Sequence, residues 1–193
     1  MYEYIKGSLA LLAPTYAVID VQGIGYNVMI SLQTYSYLTG RTEAKLYIHQ
    51  IVREDANLLY GFFDEQERHI FRLLINVNGV GPSIALMMLS SLSADEVRMA
   101  ILQENLSILK GVKGIGLKTA QRILVDLKDQ VSSTGVSEQF LGAAGSNLRA
   151  EALSALVALG FAKTPAEKAI DKLLQQSNSY TVEDLIKAAL KQM

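Results

Sequence analysis

Two four-residue segments, Asn78-Gly79-Val80-Gly81 and Lys113-Gly114-Ile115-Gly116, carry the residue types needed to hold a phosphate without a dedicated side-chain anchor. Glycine takes a left-handed backbone conformation without strain, and its missing Cβ lets a ligand approach the chain closely. A helix that begins just after such a turn offers unpaired N–H groups and the positive end of its dipole, which together favour an anion. The apolar residue between the glycines, Val80 or Ile115, can turn inward and anchor the turn, while Lys118 and Lys113 add charge at the second copy. A single Gly-x-Gly is an ordinary tight turn between helices. Here, however, Val77-Asn78-Gly79-Val80-Gly81-Pro82-Ser83-Ile84-Ala85 aligns with Val112-Lys113-Gly114-Ile115-Gly116-Leu117-Lys118-Thr119-Ala120 at a constant offset of 35 positions. That length holds a helix, a glycine turn, a second helix and a connector, so the repeated unit is a helix-hairpin-helix. Turns of this kind meet phosphate oxygens and not base edges. The chemistry they imply is a sequence-independent grip on the two strands across a minor groove.

Other residues with chemical potential are fewer. Arg53-Glu54-Asp55-Ala56-Asn57 is a charged turn between two strand-like segments. Most acidic turns are merely solvated, but adjacent carboxylates at a protruding turn repel phosphates and can keep strands apart. Gly111 to Thr119 resembles a P-loop, yet Lys118 and Thr119 fall one position late and a helix precedes them, so nucleotide binding is not expected. Gly23-Ile24-Gly25 lies among strands and reads as a bulge or bend. His49 and His69 have no acidic cluster at ligand spacing, so neither a metal nor any other cofactor is expected. A helix-hairpin-helix glycosylase would place an aspartate about twenty residues after its hairpin; Asp126 and Asp129 come too early and read as solvated helix-surface charge.

Several classes are excluded by the bulk of the chain. Cysteine is absent, which removes disulfides and thiol chemistry. The first residues lack the basic start and apolar run of a secretion signal, and no apolar stretch approaches the roughly 20 residues that span a bilayer, so a soluble cytoplasmic protein without a membrane partner is expected. A net charge of −1 is unusual for a phosphate binder, but Lys110, Lys113, Lys118, Arg122 and Lys128 gather around the second hairpin.

The elements that must position these groups follow from periodicity. Residues 2–9, 16–21, 26–31, 44–52 and 58–62 are β-branched or aromatic, partly alternating, and punctuated by glycine and proline, which suggests a small five-stranded barrel of the OB type. From Glu65 the period becomes helical. Ser93-Ala94-Asp95-Glu96 is a capping box opening a helix over 94–104, and further helices are expected over 107–110 and 117–128. Residues 131–146 are rich in Ser and Gly and read as a flexible tether. Beyond it, a helix over 148–159 stops at Gly160, Thr164-Pro165-Ala166-Glu167 supplies an N-cap and a proline at N1, and Thr181 starts the last helix. The fold class is therefore a multidomain α+β chain: an OB-fold barrel over 1–64, a tandem helix-hairpin-helix domain over 65–130, the tether over 131–146, and a three-helix bundle over 147–193.

With the tandem hairpins, the acidic turn and this layout together, the chain resembles the RuvA family, the Holliday-junction recognition subunits of the bacterial branch-migration machine. The resemblance runs its whole length, through Val52-Arg53-Glu54-Asp55, Leu59-Tyr60-Gly61-Phe62, both hairpins, and Ala155-Leu156-Val157-Ala158-Leu159-Gly160-Phe161. It implies a homotetramer, or two tetramers as an octamer, that holds four-way junction DNA open. The DNA contacts would be Asn78, Gly79, Val80, Gly81 and Ser83 in the first repeat, and Lys113, Gly114, Ile115, Gly116, Lys118, Thr119 and Arg122 in the second. Glu54 and Asp55 would be acidic pins at the crossover. A UBA-like C-terminal bundle would engage the hexameric RuvB ATPase through Leu156, Val157 and Leu159, and the RuvC resolvase is a further implied partner. The chain departs from the family in carrying Ser83 and Leu117 where many members have lysine, and in its short tether. Two other readings stay open on the residues alone: a repair enzyme, glycosylase or nuclease, that uses the hairpins as an anchor, and a monomeric duplex-binding adaptor.

Overall fold

The computed structural model of the chain describes residues 1–137, 146–176 and 180–191. They fall into two compact units, Met1–Ser132 and Ser133–Met193. In the first, five strands close a barrel: β1 (Tyr4–Ala13), β2 (Tyr16–Val21), β3 (Ile24–Ile30), β4 (Glu43–Val52) and β5 (Asn57–Phe62), in the spatial order β1-β2-β3-β5-β4. All neighbours are antiparallel except β3 and β5, which run parallel through Met29↔Tyr60 and Ile30↔Gly61. Strand alternation turns Ile5, Ile19, Val28, Ile30, Leu46 and Ile48 into the barrel core and leaves Tyr4, Lys6 and Lys45 outside. This is the OB-type barrel that the strand-like segments predict.

Two local features differ from expectation. A short helix, α1 (Leu32–Leu38), sits between β3 and β4, capped by Ser31, whose hydroxyl accepts from Thr34 N at 3.0 Å. Its seven residues are too few to show a helical period, and its Tyr and Thr side chains look strand-like. Gln22 and Gly23 both have positive φ, 55° and 88°, and form a two-residue turn joining β2 to β3. Such a turn matches the twist of a tight hairpin, so Gly23-Ile24-Gly25 is a hairpin turn entering a strand, not a bulge.

The helical half of the same unit comprises α2 (Glu65–Ile75), α3 (Pro82–Ser91), α4 (Ala94–Leu102), α5 (Leu106–Gly111) and, as far as Ser132, α6 (Leu117–Ser137). The capping box at Ser93 and Glu96 is formed in both directions. Helix α2 is fastened to the barrel through Phe71, whose ring lies 4.9 Å from Phe62 and 5.1 Å from Tyr60. The division at residue 64 thus marks a change of element type within one packed body. Helix α6 extends past Lys128: Val131 continues the buried stripe of Leu124 and Leu127, and Ser132 Oγ donates to Lys128 O at 2.7 Å. The tether expected over 131–146 therefore begins as helix, and its positions 138–145 lie outside the described residues.

A buried carboxylate joins α2 to α1. Glu67 receives hydrogen bonds from Ser31 Oγ and from Thr34 Oγ1, the latter at 2.7 Å. Each hydroxyl also accepts a backbone amide, Thr34 N for Ser31 and Phe63 N for Thr34 at 3.1 Å, so each both donates and accepts. Burial pushes the Glu67 carboxyl above its ordinary value of 4.5, against the pull of these two donors. The folded chain then holds this proton more tightly than the unfolded chain. That contribution to stability is complete below 4.5 and is lost as the pH rises through the raised folded value. Replacing Glu67 with alanine, which orphans two buried hydroxyls, is expected to cost about 2–4 kcal/mol in urea unfolding. Glu67→Gln is expected to flatten the fall in stability with rising pH. An unchanged pH profile in that variant would remove Glu67 as its source.

The second unit packs α7 (Ser146–Ala158), α8 (Lys163–Gln176) and α9 (Val182–Leu190) around Ala152, Leu156, Ile170, Leu173 and Leu185. Gly160, at φ 95°, ends α7: its N–H reaches Val157 O and Phe161 N reaches Leu156 O, the paired bonds of a Schellman stop. Thr181 caps α9 as expected, accepting from Asp184 N at 3.2 Å. Thr164 does not cap α8. The helix starts two residues earlier, at Lys163, with Ala166 N bonded to Ala162 O, and Pro165 sits in the first turn, where its missing N–H costs nothing. Asp171 receives two bonds from Arg149, at 2.6 and 3.0 Å, clasping α7 to α8.

Candidate nucleic-acid interface

The two glycine turns are built alike, bond for bond. In the first, Val77 N donates to Leu74 O, Val80 N to Val77 O, and Ala85 N to Gly81 O. Thirty-five positions on, Val112 N donates to Leu109 O, Ile115 N to Val112 O, and Ala120 N to Gly116 O. Val80 and Ile115 are both buried, so the residue between the glycines anchors each turn in the shared helical core. Gly79 and Gly114 have φ of 94° and 91°, a region that only glycine enters without strain.

The turns also face each other reciprocally. A Cβ on Gly79 would lie 3.7 Å from Thr119 Oγ1, at the start of α6, and one on Gly114 would lie 3.8 Å from Ile84 Cγ1, at the equivalent place in α3. Each hairpin thus rests against the helix that the other introduces, which is a two-fold relation within one chain. This contact was not legible in sequence, because periodicity describes one helix at a time. The constant 35-residue offset was its only trace.

The second glycine of each pair has a different reason to be glycine. Gly81 is extended, with φ −83° and ψ 168°, and a Cβ on Gly81 or Gly116 would meet nothing within 4 Å. Neither internal packing nor a left-handed backbone demands glycine here, and the missing side chain leaves the backbone open to approach. The N–H groups of Gly81, Ser83 and Ile84 precede the first bond of α3, and those of Gly116, Leu117, Lys118 and Thr119 precede the first bond of α6. Pro82 at N1 removes only an amide that the helix would leave unpaired. Both turns therefore present a small crown of donors at a helix start, the arrangement that favours an anionic oxygen.

Charge separates the two crowns. At the position where the second repeat has Lys118, the first has Ser83; Lys113 corresponds to Asn78 and Arg122 to Met87. Every cation of the second hairpin has a neutral counterpart in the first. Arg122 also reaches back to the first turn, its Nη1 donating to Asn78 O at 3.4 Å. The arginine thus ties the two hairpins together from an exposed position.

The acidic turn lies at the tip of the β4–β5 hairpin, closed by Arg53 N donating to Ala56 O at 2.7 Å, with Glu54 and Asp55 exposed. The three apolar residues expected to meet a motor do not behave alike. Leu156 is fully buried in the core of the C-terminal unit, whereas Val157 is 44% and Leu159 61% exposed. Leu156 is removed from the docking set because its position on α7 faces α8 and α9. His49 lies at the barrel–α2 contact, its ring 5.5 Å from that of Phe71, and His69 lies on α2; burial, aided by Arg72, pushes both imidazoles below their ordinary range. Asp126 and Asp129 are exposed on α6. Among the described residues, no three acidic, histidine or cysteine side chains gather as a metal cluster, and no helix is long and apolar enough to cross a membrane.

Three family models match the chain: RuvA N terminal domain over residues 1–61, SAM-like Helix-hairpin-helix tandem over 71–129, and RuvA, C-terminal domain over 147–193. Among similar proteins, the Holliday junction branch migration complex subunit RuvA of Bacteroides fragilis is 50% identical over 201 residues, covering 100% of both chains. Proteins of the same name from Cytophaga hutchinsonii and Flavobacterium psychrophilum are 45% and 42% identical, the first covering 99% of both chains and the second 100%. The chain belongs to the RuvA family. As a RuvA-family member it combines both family domains with the hairpin tandem between them, and the doubled glycine turn is the part whose geometry bears on nucleic acid.

Proposed function

We propose that the chain is the non-catalytic DNA-binding subunit of a branch-migration complex. It grips the duplex arms of a four-way junction through its two hairpins, holds the junction open, and recruits a hexameric RuvB-type ATPase in homologous recombination and DNA repair. The observation that carries this reading is the pair of donor crowns related by an internal two-fold, each with an open approach at Gly81 or Gly116. Two such crowns suit the two strands bordering one minor groove, and amides that meet phosphates give no base preference. The names of the relatives supply the substrate and the complex. On this reading the protein works in the cytoplasm as a tetramer, four copies matching the four arms, with the exposed Val157 and Leu159 offered to the motor. Native mass measurement, alone and with a four-way junction, tests the assembly: four copies, or eight, per junction are expected, and a single copy on each duplex would overturn it in favour of an adaptor.

Glu54 and Asp55 have the role of repelling phosphates at the crossover. Neutralising both, as Glu54→Gln with Asp55→Asn, is expected to leave junction affinity nearly unchanged and to tighten linear duplex binding by roughly 3- to 10-fold, since two like-charge contacts disappear. Paired mobility shifts on the two substrates check this. Equal loss on both, in a folded variant, would contradict a separating role.

A further inference from the structure

The outer face of the barrel where β1 meets β4 carries a second collection of groups suited to nucleic acid. The register pairs Tyr4 with Tyr47 and Lys6 with Lys45. The Lys45 ammonium lies 4.6 Å from the centre of the Tyr4 ring and 4.5 Å from that of Tyr47, and it donates to Tyr47 Oη at 3.2 Å. Tyr4 is nonetheless 54% exposed. Tyr2, 41% exposed and edge-on to Tyr26, adds aromatic surface at the start of β1.

The lysine pair is the informative feature. Like charges directly opposite each other across two strands destabilise a sheet. Among the described residues neither Lys6 nor Lys45 has an ion-pair partner: Glu3 is held by Arg68 at 2.5 Å, and Glu43, diagonal to Lys6 across the two strands, forms no ion pair with either lysine. Two lysines face to face without a carboxylate partner, steadied only by the tyrosine rings under Lys45, are unfavourable for an isolated barrel and suit an anionic chain with flat bases. Lysines neutralise the phosphates and a tyrosine face stacks on a base, a combination that tolerates any sequence. Duplex DNA keeps its base faces stacked on one another, so an exposed ring gains this contact only from an unpaired strand. The face lies at the end of β4 opposite the acidic turn, and it contains no helix start.

We propose that Tyr4, Lys6, Lys45 and Tyr47 form a binding site for unpaired single-stranded DNA, separate from the glycine hairpins. The junction reading supplies its setting, because strands exchanged at a crossover are transiently unpaired, but the site itself rests on the barrel face.

The test is fluorescence anisotropy of the full chain with an end-labelled dT20 strand across a salt series, alongside a four-way junction. Wild type is expected to bind dT20, and Tyr4→Ala to weaken it roughly 5- to 100-fold, the worth of one stacked base. Lys6→Glu is expected to weaken dT20 binding and lower its salt dependence while raising the thermal midpoint, since a Lys–Lys pair becomes Glu–Lys; loss of binding through misfolding would lower that midpoint. Neither variant should change junction affinity, and Gly81→Val with Gly116→Val should lose the junction and keep dT20. No dT20 binding by wild type, or equal binding by wild type and both barrel variants, would overturn the site. So would loss of dT20 with the hairpin variant, or a change in native mass on Tyr4→Ala, which would make the face a contact between copies. Failure on the junction with dT20 behaving as expected would sink the junction reading and leave this site standing.

Discussion

Valine at Gly81 and Gly116 together is expected to reduce affinity for a four-way junction by roughly 100-fold while leaving the unfolding midpoint almost unchanged. The magnitude follows from losing two charge-assisted backbone contacts, each worth about 1.5 kcal/mol, at about 1.4 kcal/mol per tenfold. The stability expectation follows from geometry. Gly81 is extended, and a Cβ at either position meets nothing within 4 Å, so the new side chain fills only the approach that a phosphate would use. The partner glycines give the opposite pattern. Alanine at Gly79 or Gly114, where φ is 94° or 91°, is expected to cost roughly 1–2 kcal/mol in stability, because an L side chain resists that backbone region. Binding isotherms and urea unfolding of the four single variants and the double variant separate the two classes. A Gly81→Val, Gly116→Val chain that binds the junction like wild type would show that the crowns do not touch DNA.

The C-terminal unit offers an equally large contrast. Leu156→Ala is expected to destabilise that unit by about 2–5 kcal/mol, enough to unfold a small three-helix body, because the side chain is fully buried between α7, α8 and α9. Leu159→Asp, three positions on and 61% exposed, is expected to leave the helices intact and to reduce stimulation of a RuvB-type ATPase on junction DNA at least about tenfold, as for an apolar residue central to a docking patch. Circular dichroism and thermal unfolding of the full chain monitor the first effect, and ATP turnover the second. Both variants should bind the junction normally, since the hairpins belong to the other unit. Full stimulation by a folded Leu159→Asp chain would place the motor contact elsewhere.

Local signals were the legible part of this fold. The capping box at Ser93 and Glu96, the Thr181 cap, the Gly160 stop and the two glycine turns are each written within a few adjacent residues, and each formed where the residues pointed. What escaped was decided over longer distances. Helix α1 is fixed by Ser31 and Thr34 reaching Glu67, more than thirty positions away, and no window along the chain contains both sides of that contact. Burial of Val131 carries α6 past Lys128, and the helix runs on to Ser137 through residues whose Ser and Gly composition reads as loop. Leu156, Val157 and Leu159 look equivalent as apolar letters, and only the packing of three helices tells core from surface. The candidate site was readable in kind from its repeat. Its reciprocal build, Gly79 against Thr119 and Gly114 against Ile84, needed the structure.

The inequality of the hairpins bears on how binding responds to salt. The second crown has Lys113 and Lys118 beside it where the first has Asn78 and Ser83, and the one cation that touches the first turn, Arg122, is lent by the second repeat, so counterion release should come mainly from second-repeat residues. A four-way junction and a linear duplex of the same arm sequence, titrated in parallel by mobility shift from low to moderate salt, test the central claim most directly. Duplex binding is expected to fade first and junction binding to persist, at least about tenfold tighter at moderate salt, because several hairpin pairs engage one junction at once. Equal affinity for the two substrates at every salt concentration would contradict it.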